Sequence, residues 1–145
     1  MKLISSLKVV GFGKVVGLGL VVTGLVVTGL VVTQLVAQNP GVKRTVVQTA
    51  DVSVPGREAV IAHVEIAAGA AVGRHTHPGE EISYIIEGEG ELLIEGQPVR
   101  KLKAGDGFVV PSGVKHDARN TGTQTLKVAA VYLVEKGKPL ATPAP

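Results

Sequence analysis

The sequence of 145 residues contains no cysteine. This absence excludes disulfide bonds, thiolate catalysis and any zinc or iron–sulfur site that cysteine would hold. It does not identify a compartment, because a chain without cysteine suits an oxidising compartment as well as a reducing one. Any metal or catalytic site in this protein must therefore be built from histidine, carboxylate and other oxygen or nitrogen groups.

Acidic residues are absent before Asp51, although the chain has 12 of them. The 15 Lys and Arg residues give a formal net charge of +3. Without Lys2, Lys8 and Lys14 the chain has 12 basic residues against 12 acidic ones, so the excess charge belongs to the N-terminal segment. A basic domain surface is not indicated, and we expect no nucleic-acid partner.

Charge is missing altogether between Val15 and Gln38, a segment with three tandem copies of GLVVT. This run is longer than the roughly 7–15 apolar residues of a signal peptide and is long enough for a membrane helix of about 20. The preceding lysines are typical of a signal peptide and of a membrane helix alike, and Ala37 is a possible cleavage site. We predict that residues 1–38 are a signal peptide or an N-terminal membrane anchor helix, and leave cleavage open. The following domain is expected to be exported to the periplasm or cell envelope. Membrane contact is expected only through an uncleaved segment, with its N-terminus inside.

After Pro40 the apolar residues alternate with polar ones, as in β-strands. The stretch EAVIAHVEIA, residues 58–67, places four apolar side chains on one face: Val60, Ala62, Val64 and Ile66. Gly, Pro, Asn and Asp separate such runs, which is typical of an all-β sandwich or barrel. We predict one domain at 39–137, with its core at about 58–134. The Pro-rich residues 138–145 are expected to form an extended, poorly ordered tail.

Two of the four histidines lie in the stretch GRHTHPGEE, residues 73–81. His75 and His77 are two residues apart, so on a strand they point to the same face. Glu81 follows a turn that can bring it beside them, and His116 begins another strand after a Pro/Gly turn. Three imidazoles and one carboxylate inside a small barrel suit a divalent first-row metal, with two positions left for water or substrate. An exposed HxH pair near a turn is the alternative that the spacing alone leaves open.

These residues fall in two longer patterns, separated by 16 residues, that resemble the two motifs of the cupin family. The resemblance covers roughly residues 58–134 and implies a single-domain cupin β-barrel, that is, a double-stranded β-helix or jelly roll. It also implies that His75, His77, Glu81 and His116 bind one divalent metal ion, which could be iron, manganese, nickel, copper or zinc. The remaining motif positions are interpreted as structural turn residues: Gly69, Gly88, Gly105, Pro111, Gly113 and Asn120.

Four nearby polar residues are not expected to bind the metal. Glu80 does not fit the motif spacing and is interpreted as solvent-facing, with contact to a metal ligand as the alternative. His63 has apolar neighbours and no motif, so we expect a strand histidine without a special role. Asp117 and Arg119 share one parity, opposite to His116 on a regular strand, which argues against a catalytic role.

The same alternation predicts the lining of the pocket. If Glu81 faces inward, so do Ser83 and Ile85, and His116 takes Ala118 with it. The last strand contributes one of two sets: Val128, Ala130 and Tyr132, or Ala129, Val131 and Leu133. Apart from Glu81, a candidate proton shuttle, we identify no general acid or base, no Ser–His–Asp arrangement and no phosphate loop.

Any catalysis is therefore expected to be metal-centred. The leading hypothesis is a metal-dependent enzyme of the dioxygenase or decarboxylase type acting on a small organic molecule. The alternatives are a non-catalytic envelope module that binds a small ligand or metal, and a metal-free structural barrel. The resemblance implies a homodimer, and the strand KRTVVQTA, residues 43–50, is a candidate to pair with a second copy.

Overall fold

The computed structural model of this protein describes residues 39–145. The predicted signal or anchor segment at 1–38 lies outside the described residues. Among the residues that are described, no helix is long and apolar enough to span a membrane.

Within residues 39–145 the chain forms ten β-strands, which pair in antiparallel fashion. In chain order the strands are β1 Val42–Asp51, β2 Arg57–Ile66, β3 His75–Thr76, β4 Gly79–Glu87, β5 Glu89–Ile94, β6 Arg100–Lys103, β7 Gly107–Val110, β8 His116–Arg119, β9 Leu126–Glu135 and β10 Thr142–Pro143. They build two five-stranded sheets, with the orders β1-β2-β9-β4-β7 and β10-β3-β8-β5-β6. The predicted all-β fold is confirmed.

Strand alternation determines which side chains fill the interior. In β2 the four apolar residues predicted to share a face are all buried, whereas Ile61 between them is 40% exposed. In β9 the buried set is Val128, Ala130 and Tyr132, which decides between the two alternatives that the sequence left open. Apolar side chains of both sheets form one core between them, as expected for a two-layer β-structure.

Strand β1 lies at the outer edge of the first sheet, where it pairs only with β2 among the described strands. Val46 and Val47 near its middle are 53% and 65% exposed. An exposed strand edge with apolar side chains is the kind of surface that pairs with another chain. The homodimer remains a prediction.

The C-terminal segment differs from the expectation of a poorly ordered tail. It is extended, but Thr142 and Pro143 pair with β3, and the Ala144 amide donates a hydrogen bond to the Arg74 carbonyl at 2.9 Å. Ala141 is buried at 9% exposure, and Leu140 packs against the core. The prolines of this segment have no backbone N–H to donate, but its carbonyls and apolar side chains can still pack against the barrel.

Candidate metal centre

The four predicted metal ligands come from both sheets and meet inside the barrel. His75 begins β3, Glu81 lies in β4, His116 begins β8, and His77 follows β3 directly. His75 and His116 are cross-strand partners. All four residues are buried, at 3–8% exposure, and one ligand atom from each lies within 4.8 Å of the others. A shared ion lies about 2.0–2.2 Å from each ligand atom, so any two ligand atoms must be no more than about 4.4 Å apart. Small side-chain rotations are enough to bring the four atoms within that distance.

Each imidazole is oriented by a backbone carbonyl at its Nδ1 atom. The partners are the Gly73 carbonyl for His75 at 2.7 Å, the Val114 carbonyl for His116 at 3.0 Å, and the Leu140 carbonyl for His77. Because a carbonyl oxygen can only accept, Nδ1 must carry the hydrogen in all three rings. In the neutral rings Nε2 then presents a lone pair, which is the tautomer that metal-bound histidines use.

Glu81 faces these lone pairs with a single oxygen. Its Oε2 lies 3.0 Å from Nε2 of His77 and 3.1 Å from Nε2 of His116, and its Oε1 accepts a 2.6 Å hydrogen bond from the Ser83 hydroxyl. Lone pairs on neutral imidazoles and a carboxylate repel one another unless a cation lies between them. Protons on the rings can supply that positive charge, and so can a metal ion, which takes their place. The donor set therefore fits a divalent transition metal.

Burial acts on the titration of two of these groups. Burial lowers the pKa of His75 to about 4, and the neighbouring His116 adds to this effect. Burial of the Glu81 carboxyl works to raise its pKa, but the contacts with His116, His77 and Ser83 outweigh it and hold the pKa well below its usual range. A neutral His75 and an ionised Glu81 are the protonation states that metal binding requires.

We expect the metal-free protein to lose stability as the pH falls from 6.5 towards 4. The unfolded chain binds a proton at His75 near pH 6.5, whereas the folded protein resists protonation down to about pH 4. A depressed pKa contributes stability that is complete above pH 6.5 and lost below it, worth about 3 kcal/mol for this histidine. The urea midpoint measured between pH 7 and 4.5 tests this. His75→Gln should make the urea midpoint depend less on pH, and His63→Gln should not. An equal change of the midpoint with pH in wild type and in His75→Gln would contradict the prediction.

The residues predicted to line the pocket take three different positions. Ser83 is buried and holds Glu81, as described above. Ile85 is fully buried within the apolar core. Ala118 is half-buried, lies opposite Leu92 on β5 and packs against the same core. Of the three, Ser83 is the residue that contacts the metal cluster.

The polar residues that were not expected to bind the metal differ in their burial and contacts. Glu80 is half-buried and pairs with Arg57 at 3.7 Å, and His63 lies opposite Thr45 and Ala129 in the sheet, outside the cluster. Asp117, by contrast, is buried at 3% exposure.

Asp117 accepts a 2.8 Å hydrogen bond from the Gly73 amide and pairs with Arg119 at 3.0 Å. The Gly73 carbonyl orients His75. By holding the Gly73 amide, Asp117 therefore helps to position His75, one of the predicted metal ligands. Strand parity set Asp117 apart from His116, but its hydrogen bond with the Gly73 amide was not evident in the sequence.

The motif residues interpreted as structural lie at turns. Gly69, Gly88, Gly105 and Gly113 all have φ between 73° and 92°. At Gly88 a Cβ would also meet the Leu126 Cα and the Thr125 carbonyl at 2.9 Å, so the position has no room for a side chain. The Pro111 carbonyl accepts a turn hydrogen bond from Val114, and the buried Asn120 amide donates to the Ile66 and Gln124 carbonyls.

Three residues near the cluster were not selected from the sequence. The Tyr132 ring lies 4.7 Å from the His77 ring, the Arg44 guanidinium lies 5.8 Å from the centre of the Tyr132 ring, and Leu140 orients His77. Tyr132 belonged to one of two alternative faces of β9. Arg44 shares the parity of Val42 on β1, a signal that could have marked it as inward-facing. No pattern in the sequence marks Leu140.

The family model described as "cupin domain" matches residues 62–132. Among curated proteins, the chain is 40% identical over 76 residues to an oxalate-binding protein of Thermotoga maritima, which covers 52% of this chain and 62% of that protein. It is 51% identical over 45 residues to the dimethylsulfoniopropionate lyase DddQ of Ruegeria pomeroyi, covering 31% of this chain and 22% of the lyase. The chain thus spans less than two thirds of the length of either relative.

Two solved structures have similar folds. A conserved protein of Klebsiella pneumoniae with a double-stranded β-helix domain matches with a TM-score of 0.58 and 27% identity, over 72% of this chain and 88% of that one. The DddQ structure matches with a TM-score of 0.53 and 32% identity, over 59% of this chain and 43% of the lyase. The two-sheet barrel described above is the fold that these proteins share.

Proposed function

Residues 62–132 form a cupin domain, and on that premise we propose that this protein binds one divalent transition metal ion through His75, His77, Glu81 and His116 and acts on a small organic molecule there. The observation that carries the proposal is the convergence of His75, His77, His116 and Glu81, whose ligand atoms lie within 4.8 Å of one another, with Nε2 of His77 and of His116 both on one Glu81 oxygen. The cluster is buried, backbone carbonyls orient its rings, and a metal ion can take the place of the ring protons there, which supports a metal site.

A metal held by these four residues would supply a Lewis acid or redox centre for a small organic molecule. The protein's own residues limit what else can occur. The Ser83 hydroxyl keeps Oε1 of Glu81 in place, so that Oε2 points at the imidazoles. Burial and the Glu81 charge raise the pKa of Tyr132, so its hydroxyl stays protonated at neutral pH and acts as a hydrogen-bond donor. Glu81 stays our candidate for carrying a proton during turnover, in which case substrate binding must weaken the contacts with His116, His77 and Ser83 that hold its pKa low.

An enzyme of the decarboxylase, lyase or dioxygenase type is the function we favour. One relative is named as a lyase of a propionate derivative and another as an oxalate-binding protein, and both names denote small carboxylates. The name of the second relative also supports the alternative, a module that binds a small organic acid without turning it over. The two differ in one observable, which is product formation.

Protein purified from its own host without chelator should contain about one transition metal ion per chain. Incubated with a panel of small carboxylic acids, with and without O₂, the metal-loaded protein should yield a product or consume O₂. Binding without product would establish the alternative module, and protein that takes up no metal even after reconstitution would contradict both. The same preparation tests export, through cell fractionation and the mass of the N-terminus, and the homodimer, through sedimentation at micromolar concentration.

A further inference from the structure

The outer face of the first sheet carries apolar side chains that take no part in the core. One row across this face consists of Ile61, Val131, Ile82 and Val109, which are cross-strand partners in β2, β9, β4 and β7. Ile82 and Val109 are 43% and 57% exposed. Because side chains alternate along a strand, the row points away from the metal cluster, into which Glu81 of β4 projects.

A second row beside the first adds to this apolar surface. Ala129 of β9 and Tyr84 of β4 are cross-strand partners in it, and Tyr84 is 54% exposed. A shallow groove of about 630 Å³ runs over the two rows. Its lining includes Ile82, Tyr84, Arg100, Val109, Ala129 and Val131. A contiguous apolar surface of this kind on a folded domain marks a site of interaction.

The charged residues around this face are paired with one another. The ion pairs are Lys43–Glu65 at 3.7 Å and Lys127–Glu87 at 2.7 Å at one end of the strands, and Arg57–Glu80 at 3.7 Å at the other. Arg100 and Glu135 add one charge of each sign, so the rim is neutral as a whole. A neutral rim does not favour a strongly charged partner such as nucleic acid or an anionic lipid surface. An apolar centre with a rim of both signs is complementary to itself.

The size of the face suits an interface between two chains. The outward residues of β9 define four rows along the strands: Lys127, Ala129, Val131 and Leu133. Five strands about 4.8 Å apart and four rows about 6.8 Å apart cover roughly 600 Å² in projection. Specific interfaces bury about 600–1,000 Å² on each partner. Since protruding side chains give a face more accessible surface than its projection, this face alone is large enough.

Strand β1, which the sequence suggested for pairing with a second copy, is less suited to that role. Its register with β2 shifts between Val46 and Gln48, where a bulge interrupts the strand. A bulge bends and twists an edge strand, and this is one of the ways in which proteins keep such an edge from pairing. The bulge therefore favours the face of the sheet over its edge.

We propose that a second copy of this chain docks on the outer face of the first sheet, with the apolar rows of the two copies packed against each other. Packed sheets interdigitate their side chains at a separation of about 10 Å. Because both copies use the same surface, the interface is isologous and the assembly closes at two chains. The metal ligands lie on the other side of these strands, so the interface does not depend on the proposed function.

Sedimentation of the protein as purified from its host, over a range around micromolar concentration, tests the interface. Wild type should sediment as a dimer. Ile82→Lys should raise the dissociation constant of the dimer at least about a hundredfold, because each copy brings an uncompensated charge into the centre of the interface. Val47→Lys places the same charge beside the β1 edge, where Val47 is exposed, and should leave the dimer intact. A monomeric wild type, or a dimer lost in Val47→Lys and kept in Ile82→Lys, would overturn the proposal.

Tyr84 allows a second test that needs no variant. The chain has two tyrosines, of which Tyr132 is buried at 1% exposure, so Tyr84 is the one open to reagents in a single chain. Docking should cover its ring. Nitration of Tyr84 by tetranitromethane, located by mass spectrometry, should be several-fold slower in the dimer than after dilution to monomer. Equal rates would overturn the proposed interface even if the protein is a dimer, and this comparison decides the matter also if Ile82→Lys does not fold.

Discussion

Replacing His75, His77 or His116 with alanine is expected to lower the affinity for Co²⁺ by more than about a hundredfold. Each ring supplies one Nε2 atom to the cluster and is held there by its own backbone carbonyl. Losing a group that merely supports a metal ligand typically costs ten- to a hundredfold in affinity, so losing the ligand itself should cost more. Competition with a chromophoric chelator at pH 7 measures the affinity.

His63 provides the matched control for this experiment. It is the remaining histidine of the chain and lies on β2 opposite Thr45 and Ala129, outside the cluster. His63→Ala should retain the wild-type affinity. Cobalt uptake by the three cluster variants at the level of His63→Ala would show that these residues do not hold the ion. The visible spectrum of bound Co²⁺ adds a second readout, because a lost nitrogen ligand alters its bands.

A chain that ends at Pro139 should bind Co²⁺ about ten- to a hundredfold more weakly, although it keeps all four ligands. The deletion removes the Leu140 carbonyl that orients His77, and it removes β10, which pairs with β3 beside His75. A ligand free to rotate or to change tautomer must be ordered when the metal binds, and that ordering lowers affinity. The same chelator competition measures the loss.

A chain that ends at Pro143 is the control for this truncation. It keeps Leu140, the buried Ala141 and the paired strand β10, and loses only the last two residues with the Ala144 hydrogen bond to Arg74. Its affinity should stay within about threefold of the full chain. If the chain that ends at Pro139 bound as tightly as this control, the C-terminal segment would have no part in the metal centre.

The two truncations also separate metal affinity from stability. Leu140 and Ala141 pack at the core, so their removal should lower the free energy of unfolding as well. Urea unfolding of the metal-free chains measures that loss directly. A drop in cobalt affinity that persists well below the urea midpoint, where both chains are folded, belongs to the positioning of His77 and His75 by the C-terminal segment.

The amino-acid sequence by itself determined the strand alternation, the inward face of β2 and the choice of His75, His77, Glu81 and His116. The strand features depend on local spacing, since a period of two along a strand places His75 and His77 on one face. The full set of four ligands came from the resemblance of their two motifs to the cupin family. The sequence also marked residues 43–50 as a candidate edge strand, and β1 lies at the outer edge of the first sheet.

Only the tertiary structure decided which distant groups complete the centre. Leu140 lies 63 residues from His77, and its carbonyl carries no side-chain signal. Asp117 accepts a hydrogen bond from the Gly73 amide, 44 residues away along the chain, and the Arg44 guanidinium lies 5.8 Å from the centre of the Tyr132 ring. Such contacts depend on how the sheets close on one another, which local periodicity does not specify.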